Sequence, residues 1–232
     1  MIASSSMTNV TSQNENLSPL KLVRAKITKA AKTAGRNPDD IELIAISKLH
    51  PAEAALPLIA EGQRVFGENR VQEALGKWPP LIKANPDIRL HCVGQLQSNK
   101  AKTAVELFDA IHSVDRPSLI EALGRAMDSL DKKPECFIQV NIGEEDQKGG
   151  CDIADTKAIL QQCRDAGLPV IGLMSVPPLE VEPAPYFALT VKMAHDLGLP
   201  AVSIGMSSDY EKAIALGATH IRVGTALFGH RE

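Results

Sequence analysis

Short runs of hydrophobic residues alternate with longer amphipathic segments along most of the chain. The first amphipathic segment begins at Ser18-Pro19, a helix N-cap followed by proline, and ends at Gly35, which predicts an amino-terminal helix ahead of the first strand. Eight short apolar runs follow, with a helix-forming segment after each of the first seven. The predicted strands occupy residues 42–47, 64–68, 89–94, 110–114, 135–142, 169–175, 200–206 and 220–225.

This alternation predicts the fold class. Apolar strands separated by helices are typical of a parallel sheet covered by helices, and eight such strands fit a closed barrel. We therefore predict an α/β fold, a single (β/α)8 TIM barrel with an extra N-terminal helix. An open doubly wound sheet is the alternative, but no GxGxxG follows the first predicted strand, which favours the barrel.

Length and composition indicate one domain in a reducing compartment. A chain of 232 residues suits an undivided α/β barrel, which we place at residues 17–232, and the polar residues 1–16 are predicted to be a disordered leader. No apolar run is long enough to span a bilayer, and the amino terminus lacks the apolar core of a signal peptide. The four cysteines lack CxxC spacing, so we predict reduced thiols and a cytoplasmic location.

Charge and histidine spacing exclude two classes of function. The formal net charge of -3 argues against a broad basic surface for nucleic acid. The six histidines are scattered without HxH or HExxH spacing, so no metal site is predicted.

The carboxyl ends of the strands are where a barrel of this type binds ligands. Lys48 ends the first predicted strand and shares a face with Ile44 and Ile46, so its amine is expected in the barrel mouth. A desolvated amine there can attack an aldehyde to form an imine. The alternative is a lysine that extends from a strand end into water, and position alone favours that alternative.

The eighth predicted strand places a cation inside the barrel. Ile221 and Val223 alternate with Arg222, so the apolar pair should face the helices and the guanidinium the interior. A buried guanidinium needs a carboxylate, a phosphate or a heterocyclic nitrogen as partner, and a structural ion pair is as good an interpretation as a ligand contact. Gly224 and Thr225 add close backbone approach and a hydroxyl group beside it.

The seventh predicted strand ends in a helix-capping run, residues 205–209. Ser-Ser-Asp runs cap many helices, and the free backbone N–H groups of such a cap bind anions. The loops after strands seven and eight are the habitual phosphate site of this fold. The sequence therefore predicts a lysine, an interior arginine and an anion site at one mouth.

Eight ordered motifs resemble the YggS/PROSC family of pyridoxal phosphate homeostasis proteins, from about residue 20 to the end. These motifs are AISKLHP, FGENRVQEA, HCVGQLQSNKAK, HSVDR, QVNIGEEDQKGG, GLMSVPP, SIGMSSDYEKAI and IRVGTALFG. The resemblance implies a fold type III barrel similar to the amino-terminal domain of alanine racemase, with pyridoxal 5′-phosphate (PLP) as cofactor.

The resemblance also implies the cofactor contacts. Lys48 would be the aldimine lysine that forms the Schiff base, and Arg222 would face the pyridine nitrogen. Ser207, Gly224 and Thr225 would hold the phosphate.

Three further residues are implied as pocket residues. Asn69, in the FGEN motif, is expected near the cofactor, whereas His91 and Met206 could equally pack the barrel. No catalytic residue beyond the Schiff-base lysine is implied.

The function that follows is PLP carriage rather than catalysis. An arginine at the ring nitrogen favours a neutral pyridine and a weak electron sink. Tyr186 and Tyr210 fall in or at the start of predicted helices, so neither is expected to act as a general base. We predict a monomeric PLP-binding protein that maintains vitamin B6 and amino-acid homeostasis and serves PLP-accepting apoenzymes. The alternatives are a PLP-dependent amino-acid racemase of fold type III and a Schiff-base aldolase on a TIM barrel.

Overall fold

A computed structural model describes residues 17–229, in which eight parallel strands close a barrel in chain order, with β1 beside β8. This confirms the predicted (β/α)8 architecture. The leader predicted at residues 1–16 lies outside the described range. The strands are β1 (Glu42–Ile46), β2 (Val65–Glu68), β3 (Arg89–Cys92), β4 (Ala110–Val114), β5 (Glu135–Val140), β6 (Val170–Ser175), β7 (Ala201–Ser203) and β8 (His220–Val223).

Helices surround the strands. The predicted extra N-terminal helix is present, and the Ser18 hydroxyl caps it by accepting a hydrogen bond from the backbone N–H of Lys21. No helix within residues 17–229 is both long and apolar enough to cross a bilayer. The helices are α1 (Pro19–Thr33), α2 (Leu56–Ala60), α3 (Val71–Ala84), α4 (Ala101–Leu107), α5 (Pro117–Leu130), α6 (Thr156–Asp165), α7 (Ala184–Asp196), α8 (Tyr210–Leu216) and α9 (Thr225–Phe228), with 3₁₀ turns at Pro38–Asp40, Ala52–Ala55 and Ser98–Lys100.

Several element boundaries differ from the sequence prediction, and three of these differences change the local structure. The helix expected over residues 51–62 is a 3₁₀ turn followed by the short α2. Helix α3 continues past the predicted end at residue 78, through Pro79 and Pro80. Strand β7 stops at Ser203 rather than at residue 206, because Gly205 has a φ of 89° and turns the chain into the loop before α8.

Packing separates the outside of the barrel from its inside. The main hydrophobic core lies between strands and helices and includes the fully buried Trp78, Phe66 and Phe108. Inside the barrel, Ile44 and Ile46 face β2 so closely that a Cβ on Gly67 would lie 2.9 Å from Ile44 Cγ2 and 2.5 Å from Ile46 Cδ1. Alternate residues of β1 therefore line the interior, as the sequence period predicts.

Candidate functional site

A cavity of about 750 Å³ opens at the carboxyl ends of the strands, a size typical of small-molecule sites. Seven of the eight residues predicted to contact a cofactor line it, so the fold brings them together. The complete lining is Ile46, Lys48, Asn69, Val93, Val176, Met206, Ser207, Ser208, Arg222, Gly224, Thr225 and Ala226.

Lys48 provides the amine of this cavity. It lies two residues beyond the end of β1, is half-buried and lines the cavity together with Ile46. Within residues 17–229 its ammonium group makes no hydrogen bond and no ion pair, which leaves it free to meet a ligand. The next residue, Leu49, has a φ of 62°, so the chain turns sharply just after the lysine.

Arg222 provides a buried cation in the same cavity. Its Nη1 donates to the carbonyl and hydroxyl oxygens of Ser203, both at 2.7 Å, and its Nη2 donates to the carbonyl of Ser175 at 2.9 Å. Burial lowers the pKa of the guanidinium to about 10, and the negative charge of Asp209 offsets a part of this shift by raising the pKa. No carboxylate in the described part of the chain forms an ion pair with Arg222, so the structural ion pair considered from the sequence is not found there. Its Nε and its remaining Nη2 hydrogen make no hydrogen bond within residues 17–229.

The loops after β7 and β8 form a cradle of backbone donors. Ser207 Oγ accepts a hydrogen bond from Gly224 N at 3.2 Å and so joins the two loops. Asp209 Oδ1 accepts from Met206 N at 2.6 Å, which fixes the turn before α8. In these two loops, the cavity-lining residues whose backbone N–H groups donate no hydrogen bond within residues 17–229 are Ser207, Ser208, Thr225 and Ala226.

The amine and the cradle emerge from neighbouring strands. Strands β1 and β8 pair in register, with Ile44 beside Arg222 and Ala45 beside Val223. A Cβ added to Gly224 would lie 3.3 Å from the carbonyl oxygen of Ile46. The barrel closure between β8 and β1 therefore places Lys48 and the donor cradle on one side of the cavity.

His91 is the predicted site residue that does not line the cavity. It is fully buried on β3, and its Nε2 lies 3.8 Å from Oε1 of Glu42, the first residue of β1. Its ring is thus directed towards the amino ends of the strands, on the far side of the barrel from the mouth. The period of β3 places His91 inside the barrel, but its depth along the axis separates it from the ligand cavity.

A chain of hydrogen bonds nevertheless links His91 to Arg222. His91 Nδ1 and His112 Nε2 are 3.1 Å apart, and His112 Nδ1 and Ser203 Oγ are 3.0 Å apart. Because Arg222 donates to Ser203 Oγ, the serine hydroxyl is free to donate to His112. Burial lowers the pKa of His91 to about 3 and that of His112 well below its ordinary value, so both rings are neutral. Sequence reasoning did not single out His112. A histidine within an otherwise apolar predicted strand, residues 110–114, is a signal that could have found it.

The apolar wall of the cavity was also missed by the sequence analysis. Val93 and Val176 directly follow β3 and β6, and both line the cavity. Listing the residue after every predicted strand would have found Val176, whereas Val93 lies inside the third predicted strand, which extends to residue 94. The two tyrosines, Tyr186 and Tyr210, are absent from the lining within the described range. No group of three or more His, Cys, Asp or Glu side chains able to hold a metal ion occurs in residues 17–229.

Comparison with known sequences identifies the family. The family model for the alanine racemase N-terminal domain matches residues 20–232. A Pseudomonas aeruginosa protein named pyridoxal phosphate homeostasis protein is 39% identical over 216 residues, which are 90% of this chain and 93% of the relative. The chain belongs to the pyridoxal phosphate homeostasis protein family. The Escherichia coli K12 member is 36% identical over 223 residues, 92% of this chain and 95% of that protein.

Solved structures agree with this family and its fold. PipY of Synechococcus elongatus PCC7942, solved with PLP bound, is 42% identical with a TM-score of 0.78, covering 88% of this chain and 100% of PipY. A Clostridium difficile alanine racemase superposes with a TM-score of 0.65 at 13% identity, and the match covers 90% of this chain and 56% of the racemase. At that identity the likeness shows only a shared barrel. The family resemblance and the alanine racemase-like fold inferred from the sequence are both confirmed.

Proposed function

We propose that this chain binds PLP in the mouth cavity as a Schiff base on Lys48 and serves PLP homeostasis without strong catalytic activity of its own. Two findings about its relatives support the proposal. The P. aeruginosa and E. coli proteins are named for PLP homeostasis, and PipY has been solved with PLP bound.

One observation carries the proposal for the site. Within residues 17–229, an amine without a partner, a buried guanidinium and four unpaired backbone donors of the loops after β7 and β8 line a single cavity. PLP presents an aldehyde, a pyridine nitrogen and a phosphate, and each of these groups matches one of the three features. The residues present therefore fit the cofactor.

The amine and the guanidinium have different roles in this proposal. The amine of Lys48 condenses with the aldehyde to form a C=N bond, and one water molecule is released. When bound, PLP supplies an electron-withdrawing ring that stabilises negative charge on a substrate carbon. With a pKa of about 10, Arg222 keeps its own proton near pH 7 and leaves the ring nitrogen unprotonated, which weakens that withdrawal.

The phosphate is proposed to bind the cradle after β7 and β8. The hydroxyl groups of Ser207 and Thr225 and the backbone of Gly224 line this end of the cavity. Asn69 and Met206 are proposed to contact the ring from the cavity wall. The remote position of His91 supports an indirect role through His112 and Ser203 rather than direct contact.

Three further points concern the setting of the protein. A racemase needs a general base on each face of the cofactor, and neither tyrosine lines the cavity within the described residues, which supports carriage over catalysis. The described residues of one chain already supply an amine, a guanidinium and an anion cradle, and we propose a monomer that passes PLP to apoenzymes. The four free, buried cysteines support a cytoplasmic location.

Borohydride trapping tests the covalent part. Purified protein loaded with PLP should show Schiff-base absorbance that disappears on reduction, and peptide mapping should find the reduced adduct on Lys48. Lys48→Ala should lose the adduct but keep weaker, phosphate-dependent binding. The exposed Lys83 provides a matched control, since Lys83→Ala should behave as wild type. Unchanged absorbance in Lys48→Ala would refute the assignment.

An enantiomer assay tests the carrier role. Incubation of the PLP-loaded protein with L-alanine and other amino acids should yield no substantial D-isomer. Sustained turnover would make the racemase alternative correct.

A further inference from the structure

A buried ion pair lies directly behind the turn that carries Lys48. Lys77 on α3 is 7% exposed, and its Nζ is 2.5 Å from Oε1 of the fully buried Glu68. The same ammonium donates to the carbonyl oxygens of Ser47 at 2.8 Å and His50 at 2.9 Å. Lys77 therefore binds the backbone on both sides of the reactive lysine.

Two carboxylates complete this attachment. Glu68 Oε1 accepts hydrogen bonds from Ser47 Oγ at 2.6 Å and from Trp78 Nε1 at 3.0 Å. Glu73, one turn before Lys77 on α3, accepts a hydrogen bond from the backbone N–H of Leu49. Contacts with α3 or β2 thus hold three residues around Lys48, namely Ser47, Leu49 and His50.

The turn needs such support because of its backbone conformation. Leu49 has a φ of 62°, a region that residues with a Cβ rarely adopt. It is also 58% exposed, so packing of its own side chain does little to hold it. Strained backbone persists only where surrounding contacts hold it, and here those contacts come from Lys77 and Glu73.

The ion pair acts from outside the ligand cavity. Glu68 and Lys77 are absent from the cavity lining within residues 17–229, and Glu68 faces Trp78 on the helix side of β2. A pair kept only for stability could be replaced by apolar side chains at little cost. Apolar side chains could not bind the Ser47 and His50 carbonyls.

We propose that Lys77 and Glu73 are positioning residues, which together hold the 47–50 turn so that the amine of Lys48 is presented to an aldehyde in the cavity. The proposal rests on the Schiff-base function of Lys48. In that step the nitrogen of Lys48 bonds the aldehyde carbon and the aldehyde oxygen leaves as water. Correct placement of the nitrogen speeds condensation without altering phosphate or ring binding.

Two variants separate positioning from general stability. Lys77→Met removes the ammonium, and Glu73→Leu removes the acceptor for Leu49 N at a more exposed position. Lys83→Met is the matched control, since Lys83 is an exposed lysine on the same helix. If Lys77→Met does not fold, Glu73→Leu alone carries the test.

Three measurements are made on cofactor-free protein. Hydrogen exchange of the peptide covering residues 47–50 should become faster in both variants. The rate of Schiff-base formation with added PLP, followed by stopped-flow absorbance, should fall about tenfold or more. Affinity for pyridoxine 5′-phosphate, which has a hydroxymethyl group in place of the aldehyde and cannot condense, should stay within about twofold of wild type. Lys83→Met should match wild type in all three measurements.

The outcomes distinguish this inference from the proposed function. If wild type forms the Lys48 adduct and the variants form it at the same rate with unchanged exchange, the positioning role is wrong and the Schiff-base function stands. An equal loss of pyridoxine 5′-phosphate affinity would show a general disturbance of the site and would also overturn it. If wild type forms no adduct at Lys48, the proposed function itself fails.

Discussion

Acidification from pH 7 to pH 5 should destabilise the fold through two histidines that the barrel interior keeps neutral. Burial lowers the pKa of His91 to about 3, and it lowers that of His112 well below the ordinary value of 6.5. In the unfolded chain both rings regain a pKa near 6.5 and take up protons that the folded protein excludes. Their contribution to stability is therefore complete above pH 6.5 and is lost as the pH falls from 6.5 towards 3.

The size of this loss follows from the shift at His91. At pH 5 the unfolded ring is almost fully protonated, whereas the folded ring is not, and one pKa unit corresponds to about 1.4 kcal/mol. Between pH 7 and pH 5 the free energy of unfolding should fall by about 2 kcal/mol for His91 alone. The pKa of His112 shifts in the same direction, so proton uptake by its ring in the unfolded chain adds to this loss.

Urea unfolding at several pH values between 7 and 5 measures this slope. Trp78 is the single tryptophan and is fully buried, so its fluorescence reports the transition. In His91→Gln the loss between pH 7 and pH 5 should be about 2 kcal/mol smaller than in wild type, because one proton uptake is removed. His195→Gln is the matched control, since the side chain of His195 is 89% exposed.

A flat profile would contradict the argument. If the free energy of unfolding of wild type changes by less than about 0.5 kcal/mol over this range, the histidines are not kept neutral by burial. An undiminished loss in His91→Gln would show that other groups bind the protons.

Three further predictions concern packing and reactivity. Glu68→Gln and Lys77→Met should each lower the free energy of unfolding in urea by about 3–5 kcal/mol, because each leaves a buried charge unpaired. The double variant leaves no such charge and should lose clearly less than the sum of the two, so additive losses would contradict this prediction. Gly172→Ala should lower the free energy of unfolding in urea by about 1–3 kcal/mol, because the added Cβ would meet the Ala201 carbonyl oxygen on β7. A free energy of unfolding equal to that of wild type would show that β6 and β7 can move apart to accept the methyl group. An aromatic disulfide reagent at pH 8 should label no thiol of the native protein and four thiols after denaturation, because burial raises the pKa of all four. Rapid labelling of the native protein would show that a thiol is exposed. The cysteines are Cys92, Cys136, Cys151 and Cys163.

The sequence predicted the strand order and the mouth residues for a simple physical reason. Apolar runs that alternate with helices leave few arrangements, and a parallel barrel brings the carboxyl end of every strand to one mouth. Lys48, Arg222 and Ser207 are far apart in the chain but each lies in or directly after a predicted strand, so their meeting in one cavity was predictable.

Two features of the site were not predictable in this way. The family resemblance suggested His91 as a pocket residue that could equally pack the barrel. The period of a strand tells which face a residue occupies but not its depth along the barrel axis, so only the structure shows that His91 lies towards the amino ends. On the sequence, Lys77 resembles any solvated helix lysine. Its burial depends on Glu68 of a neighbouring strand and on the carbonyls of a turn 27 and 30 residues away.

The residue sequence by itself thus determined the barrel, the order of its elements and the set of groups at its mouth, since these follow from local periodicity and from the geometry of parallel strands. Only the tertiary structure decided how deep each interior side chain lies and which buried charges meet. Depth depends on the stagger between strands, and charge pairing depends on contacts between segments that no local pattern relates.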